Sequence, residues 1–167
     1  IDITEMSVLR NDTNIKDFRY GTLIAPKSYV DAAGEFTMKA LDKLEKVGDT
    51  AITGAKYVTV NGTAKGYYDG IPEVANTMSY AGSLANIKAD HYDWEFTAVG
   101  FIEFKLGDQT MTFYATYEMT EGTEEKPAEP MAPVASLSAL AKDALENDAM
   151  LNDAVKEMLK GFLTDEQ

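Results

Sequence analysis

MSYAGSLANIKADHYDWEFTAVGFIEFKLGDQTMTFYATYEM, running from Met78 to Met119, decides how the rest of this chain is read. It predicts three consecutive β-strands, over about 78–87, 94–105 and 110–119. In the third, Met111, Phe113, Ala115, Tyr117 and Met119 alternate with Thr110, Thr112, Tyr114, Thr116 and Glu118. Side chains on a strand alternate between faces, so this pattern describes a sheet with one face inward and one toward water. The second strand is apolar on both sides, Phe96 and Ile102 on one, Val99 and Phe101 on the other, which predicts a central position. Gly107-Asp108 supplies the tight turn between them.

On the N-terminal side, Ile1, Ile3 and Val8 alternate weakly and suggest a short edge strand before a polar turn at Asn11-Asp12. Residues 17–26, DFRYGTLIAP, follow with β-branched and aromatic residues and predict a strand. Pro26 stops it, because proline cannot donate to the ladder. From Phe36 the period changes. Thr37, Ala40, Leu41, Leu44 and Val47 fall on one face of a helix over about 36–47, and Gly48 offers a C-terminal stop. Asn61-Gly62, between apolar flanks, predicts a type I′ hairpin turn. Asp69-Gly70 and Pro72 mark further turns.

On the C-terminal side, residues 120–133 (TEGTEEKPAEPMAP) are acidic and proline-rich, without periodicity, and read as a solvated linker or loop. Val134, Leu137, Leu140, Ala141, Ala144 and Leu145 then make a helical stripe, and Leu151, Val155, Met158, Leu159 and Phe162 a second. The division expected is a β-rich domain over 1–119 with one helix, a linker over 120–133 and C-terminal helices over 134–163. The fold class is α+β: mainly an antiparallel sheet or sandwich, with one internal helix and a helical C-terminal segment.

Charge narrows the partners. Fifteen basic residues stand against 28 acidic ones, a net charge of −13. Nucleic-acid binding relies on Lys and Arg meeting phosphates, so it is excluded as a leading function, as are anionic membrane surfaces. The charge is uneven: from Glu118 onward 12 acidic residues face four lysines, a net of −8, which leaves −5 for the rest. No apolar run reaches the roughly 20 residues of a membrane span, so no membrane insertion by this chain is expected. Cysteine is absent, which removes disulfides, thiolate metal sites and cysteine nucleophiles. The chain starts at Ile1, so we expect a processing boundary there, with any signal peptide outside this chain.

Candidate functional residues gather near the His91 loop. His91, the only histidine, sits in Asp90-His91-Tyr92-Asp93, where an aspartate could hold it as a general base. The plainer reading, which we favour, is a turn residue beside aspartates that suit turns. Asp90, Asp93 and Glu95 could ligate Ca²⁺, which takes several hard oxygens, but EF-hand spacing is missing. We therefore expect no cofactor, with Ca²⁺ the one ion these residues would suit. Tyr67, Tyr68, Tyr92 and Trp94 could form an aromatic platform for sugar rings, which stack by their apolar faces. Aromatics that simply fill a sheet-rich core are the competing explanation. No serine occupies a Gly-x-Ser-x-Gly elbow, and Gly62-Thr63-Ala64-Lys65-Gly66 lacks the full phosphate-loop spacing.

Several of these segments together resemble a known type of domain. Tyr20-Gly21-Thr22-Leu23-Ile24-Ala25-Pro26, Asn86-Ile87, Tyr92-Asp93, Glu95-Phe96-Thr97-Ala98 and Gly100-Phe101-Ile102 are similar to an uncharacterised extracellular domain of secreted multidomain proteins from Firmicutes and gut bacteria. The resemblance covers roughly residues 18–119. It departs from that family at Val99-Gly100-Phe101, where the family has Arg-Ala-Tyr, and in lacking the family's opening strand. It implies an extracellular or cell-surface accessory module, often beside carbohydrate-active or adhesive domains, and no catalytic residues.

The leading expectation is thus a non-catalytic module that binds glycan or takes part in adhesion, with polysaccharide or another surface protein as partner. The alternatives are a small carboxylate-dependent hydrolase and a structural spacer or protein-interaction domain.

Overall fold

The computed structural model describes residues 7–9, 11–67, 78–115 and 134–163, with residues 63–67 and 78–81 described by their backbone. The fold is α+β and built on an antiparallel sheet. Strands β1 (Ile15–Pro26), β4 (Val58–Asn61), β7 (Phe96–Leu106) and β8 (Gln109–Tyr114) run in the order β4-β1-β7-β8. The two-residue strand β9 (Val134–Ala135) pairs with the start of β7. Two ribbons stand apart from this sheet: β2 (Lys46–Val47) with β3 (Thr50–Ala51), and β5 (Thr63–Tyr67) with β6 (Met78–Ala81). Among the described residues, the helices of six residues or more are α1 (Lys27–Ala33), α2 (Met38–Lys43), α3 (Leu137–Asn147) and α4 (Asp153–Lys160).

The residues form two compact units. One comprises Ile1–Ile24, Val58–Ser83 and Val99–Met131, the other Ala25–Tyr57, Leu84–Ala98 and Ala132–Gln167. In the first, Leu23, Ile24, Val99, Phe101 and Phe104 are buried. β7 is central, as its two apolar faces predicted, and β8 follows it through the Gly107 turn, where φ is 61°. Phe101 and Glu103 share one face of β7. There the Arg19 guanidinium lies 5.1 Å from the Phe101 ring centre, and its Nε donates to Glu103 Oε1 at 2.7 Å. Thr112 Oγ1 donates to the other Glu103 oxygen at 3.1 Å. The half-buried carboxylate thereby accepts from two neighbouring strands.

Several expected elements differ in extent. Asn61-Gly62 makes no hairpin turn: neither residue has the positive φ that a type I′ turn requires. The Gly62 N–H instead donates to the Tyr20 carbonyl at 2.9 Å, extending the contact with β1, so β4 pairs with β1 while β5 pairs with β6. On β8, Phe113 is 54% exposed rather than inward, because β8 has β7 on one side and its ring lies flat against Phe104, centres 5.8 Å apart. β6 ends at Ala81, well short of residue 87. Residues 7–9 are helical, so Val8 belongs to no strand. Tyr117, Met119, Asp69-Gly70, Pro72 and the 120–133 segment lie outside the described residues.

In the second unit, Ala25, Phe36, Thr97, Leu41 and Ala141 are buried. A helix not expected from the sequence, α1, begins directly after Pro26 and ends at Gly34, whose φ of 72° suits glycine and whose N–H donates to the Val30 carbonyl. α2 is shorter than the 36–47 span. Thr37 caps it, its Oγ1 accepting from Ala40 N at 3.2 Å, and Leu44 already has extended backbone. Gly48 serves the β2–β3 turn with φ 56° instead of ending a helix. Ser136 and Asn152 cap α3 and α4 by accepting from Ala139 N and Val155 N, which leaves Val134 in β9 rather than on the helical stripe. Leu140, expected inward, is 57% exposed. No helix among the described residues is long and apolar enough to cross a membrane.

Asp17 and Lys105 form a surface ion pair at 2.6 Å. The hydrogen bond from Lys105, then its charge, holds the Asp17 carboxyl below its ordinary value of 3.8, and Asp17 raises Lys105 by the same two causes. A carboxyl depressed on folding adds stability above its unfolded pKa and loses it as pH falls through the folded value. Both groups are exposed, so salt screens the effect. Carbon-detected NMR titration is expected to show Asp17 titrating below an ordinary aspartate, and Lys105→Met is expected to return it upward. An unmoved midpoint in that variant would count against the pair.

Candidate functional site

The chain between β6 and β7 is the loop that sequence singled out. After Gly82 it runs without regular pairing to Lys88, with Asn86 at φ 58°, then makes one 3₁₀ turn, Ala89–His91. His91 N donates to the Lys88 carbonyl, Tyr92 N to Ala89 and Trp94 N to His91. Asp90-His91-Tyr92-Asp93 is therefore a wound turn, in keeping with its aspartates. The winding stacks His91 on Trp94, ring centres 3.9 Å apart and planes 29° apart. Tyr29 of α1 meets the same indole edge-on at 6.1 Å. Such aromatic pairs contribute about 0.5–1.5 kcal/mol beyond their area, so Trp94 is held in place from two elements.

Two backbone bonds anchor the loop. Lys27 N donates to the Glu95 carbonyl at 2.8 Å, which sets the start of α1 beside Trp94. Ser138 N donates to the Tyr92 carbonyl at 2.9 Å, which ties the turn to the first residues of α3. Pro26, Ser28, Asp93, Trp94 and Glu95 then line an open cleft of about 430 Å³. That volume falls within the roughly 300–1,000 Å³ of small-ligand sites. Trp94 is 37% exposed there. The cleft offers an aromatic surface, two carboxylates that accept hydrogen bonds, and the Ser28 hydroxyl.

The chain matches no family model, no curated protein and no solved structure.

The functional reading therefore rests on the cleft and on the residues that build it. Of the two aromatic candidates whose side chains are described, Tyr92 and Trp94, Trp94 lines it. Tyr92 is half-buried and packs edge-on against Phe162, centres 5.4 Å apart. Tyr67 lies on β5 in the other unit, and Tyr68 lies outside the described residues. Asp93 and Glu95 share the cleft, whereas Asp90 is not among its lining residues; its Oδ2 is 3.8 Å from His91 Nε2. Among the described residues no three His, Asp or Glu side chains converge to hold a metal ion, so Asp90, Asp93 and Glu95 are not gathered into a Ca²⁺ cage.

Pro26, Ser28 and Tyr29 were not singled out by the sequence. They lie some 65 residues before Trp94, at the junction of a strand and an unexpected helix. The Lys27–Glu95 backbone bond and the Tyr29–Trp94 ring contact bring the two segments together. Pro26 carries a signal for a strand end but none for a ligand site.

Proposed function

We propose that this chain is a non-catalytic, glycan-binding accessory module of a secreted or cell-surface bacterial protein. One observation carries the reading: Trp94 keeps more than a third of its surface exposed in an open cleft that Asp93 and Glu95 also line, while His91 and Tyr29 hold its ring. A pre-positioned indole stacks on the apolar face of a sugar at little entropic cost, and neighbouring carboxylates accept from its hydroxyls. The resemblance to extracellular bacterial domains and the acidic, cysteine-free composition support an extracellular setting.

A glycan array followed by calorimetry on cell-wall and plant polysaccharides tests this. Trp94→Ala is expected to weaken binding of any hit at least roughly tenfold, with the variant's fold checked by circular dichroism. If no glycan binds more tightly than about 1 mM, the spacer or protein-interaction reading replaces this one. The pairing of Asp93 and Glu95 on one cleft also suits a carboxylate-dependent hydrolase. Release of reducing ends from a bound glycan, abolished by Glu95→Gln, would favour that second reading.

A further inference from the structure

We infer that Asn61-Gly62 is a site of spontaneous deamidation that the β4–β1 pairing holds closed, so that β4 is chemically modified when it opens. This is independent of the glycan-binding reading. In the reaction the Gly62 amide nitrogen loses its proton and attacks Asn61 Cγ, which expels ammonia and closes a succinimide. Water then opens the ring at either carbonyl, leaving aspartate or isoaspartate. One water is consumed and one ammonia released, and no oxidant or cofactor takes part. Glycine hinders the attack least of all residues, because no Cβ stands beside its nitrogen.

Pairing holds both reacting groups apart. Asn61 ends β4 in strand conformation, opposite Gly21 of β1. Ring closure needs the backbone to turn so that the next nitrogen faces the asparagine side chain, and a paired strand does not turn. The Gly62 N–H, whose proton must leave, donates to the Tyr20 carbonyl at 2.9 Å. The hold is local and light. β4 has four residues, none of them buried, and among the described residues it stands at the end of the order β4-β1-β7-β8. Segments with few buried apolar contacts open at free energies below that of global unfolding.

The two products differ in consequence. Aspartate leaves the main chain unchanged. Isoaspartate routes it through the former side chain and lengthens it by one carbon, which upsets the even spacing that ladder bonds require. A strand modified in that way does not regain its register on β1.

The full 167-residue chain is aged in mildly alkaline buffer beside a synthetic peptide of residues 57–65, which trypsin also releases from the chain, and both are read by mass spectrometry. Asn61 in the folded chain is expected to deamidate at least roughly tenfold more slowly than in the peptide. That slowing is expected to follow the protection of the Gly62 amide against hydrogen exchange, since one opening permits both. Urea below the unfolding transition is expected to raise the two rates together. Gly21→Ala, whose methyl meets β4 backbone, is expected to raise both as well, and Gly107→Ala to change them little. If Gly21→Ala does not fold, the urea series on the unaltered chain makes the same comparison.

Deamidation of the folded chain at the peptide's rate would overturn the inference. So would a deamidation rate that stays fixed while urea quickens exchange at Gly62. Aged chains carrying isoaspartate are expected to lose exchange protection at Val58 and Val60, whereas Asn61→Asp keeps it. Retained protection in the isoaspartate chains would overturn the claim that the modified strand cannot pair again.

Discussion

Phe101→Ala is expected to lower the unfolding free energy by about 3–5 kcal/mol. Phe101 is only 2% exposed and is one of the largest fully buried side chains among the described residues. Truncating it removes the transfer free energy of a whole ring and leaves a cavity that neighbouring strands can close only in part. It also removes the surface beneath the Arg19 guanidinium, an attraction of about 0.5–1 kcal/mol at a half-exposed site. Domains of this kind are stable by about 5–15 kcal/mol, so the variant would stand near the limit of folding. Urea denaturation followed by far-UV circular dichroism gives the comparison. Phe113→Ala, which truncates the same residue type at 54% exposure, is expected to cost well under half as much. Similar losses for the two would contradict the burial assigned to Phe101.

Gly21→Ala is expected to cost about 2–4 kcal/mol, although it adds one methyl group. Gly21 on β1 stands opposite Asn61 on β4. A Cβ there would strike the Val60 carbonyl oxygen, with the Val60 carbonyl carbon at 3.0 Å and Asn61 Cα at 3.1 Å. All three atoms are backbone, so no side chain can turn aside and β4 must move. That movement strains the bonds that hold β4, including the one from Gly62 N to Tyr20 O. Gly107→Ala separates this effect from ordinary glycine strain. Gly107 has φ 61° and nothing within 4 Å of the added atom, so only conformational strain of about 1–2 kcal/mol is expected. Hydrogen exchange in Gly21→Ala should quicken at the amides of Val58 to Asn61. Unchanged protection there would show that β4 accommodates the methyl.

Much of the sheet was legible because its signals are local. Alternation along a strand and burial on both faces depend on residues a few positions apart, which placed β1 and β7 closely and β7 at the centre. The aspartates of the His91 loop likewise announced a turn, because their short side chains favour turn backbones. Signals with more than one outlet misled. Gly48 can stop a helix or turn a hairpin, and Asn61-Gly62 can turn a ribbon or continue along a neighbouring strand. The choice lay with a distant partner, the Tyr20 carbonyl in the second case. Phe113 alternates correctly with its neighbours but is half-exposed, because alternation says which face a side chain takes and not whether anything covers that face.

For the 78–119 stretch the division is plain. Periodicity and turn chemistry, which act over a few residues, determined from sequence alone that it carries the central strand, a hairpin and a turn holding His91, but they put Trp94 at the start of that strand, which begins only at Phe96. That Trp94 lines a cleft, and that Tyr92 packs against Phe162 instead, was decided only by tertiary structure. The cleft exists because Lys27 N bonds to the Glu95 carbonyl across 68 positions of sequence, and no local pattern encodes a bond between residues so far apart.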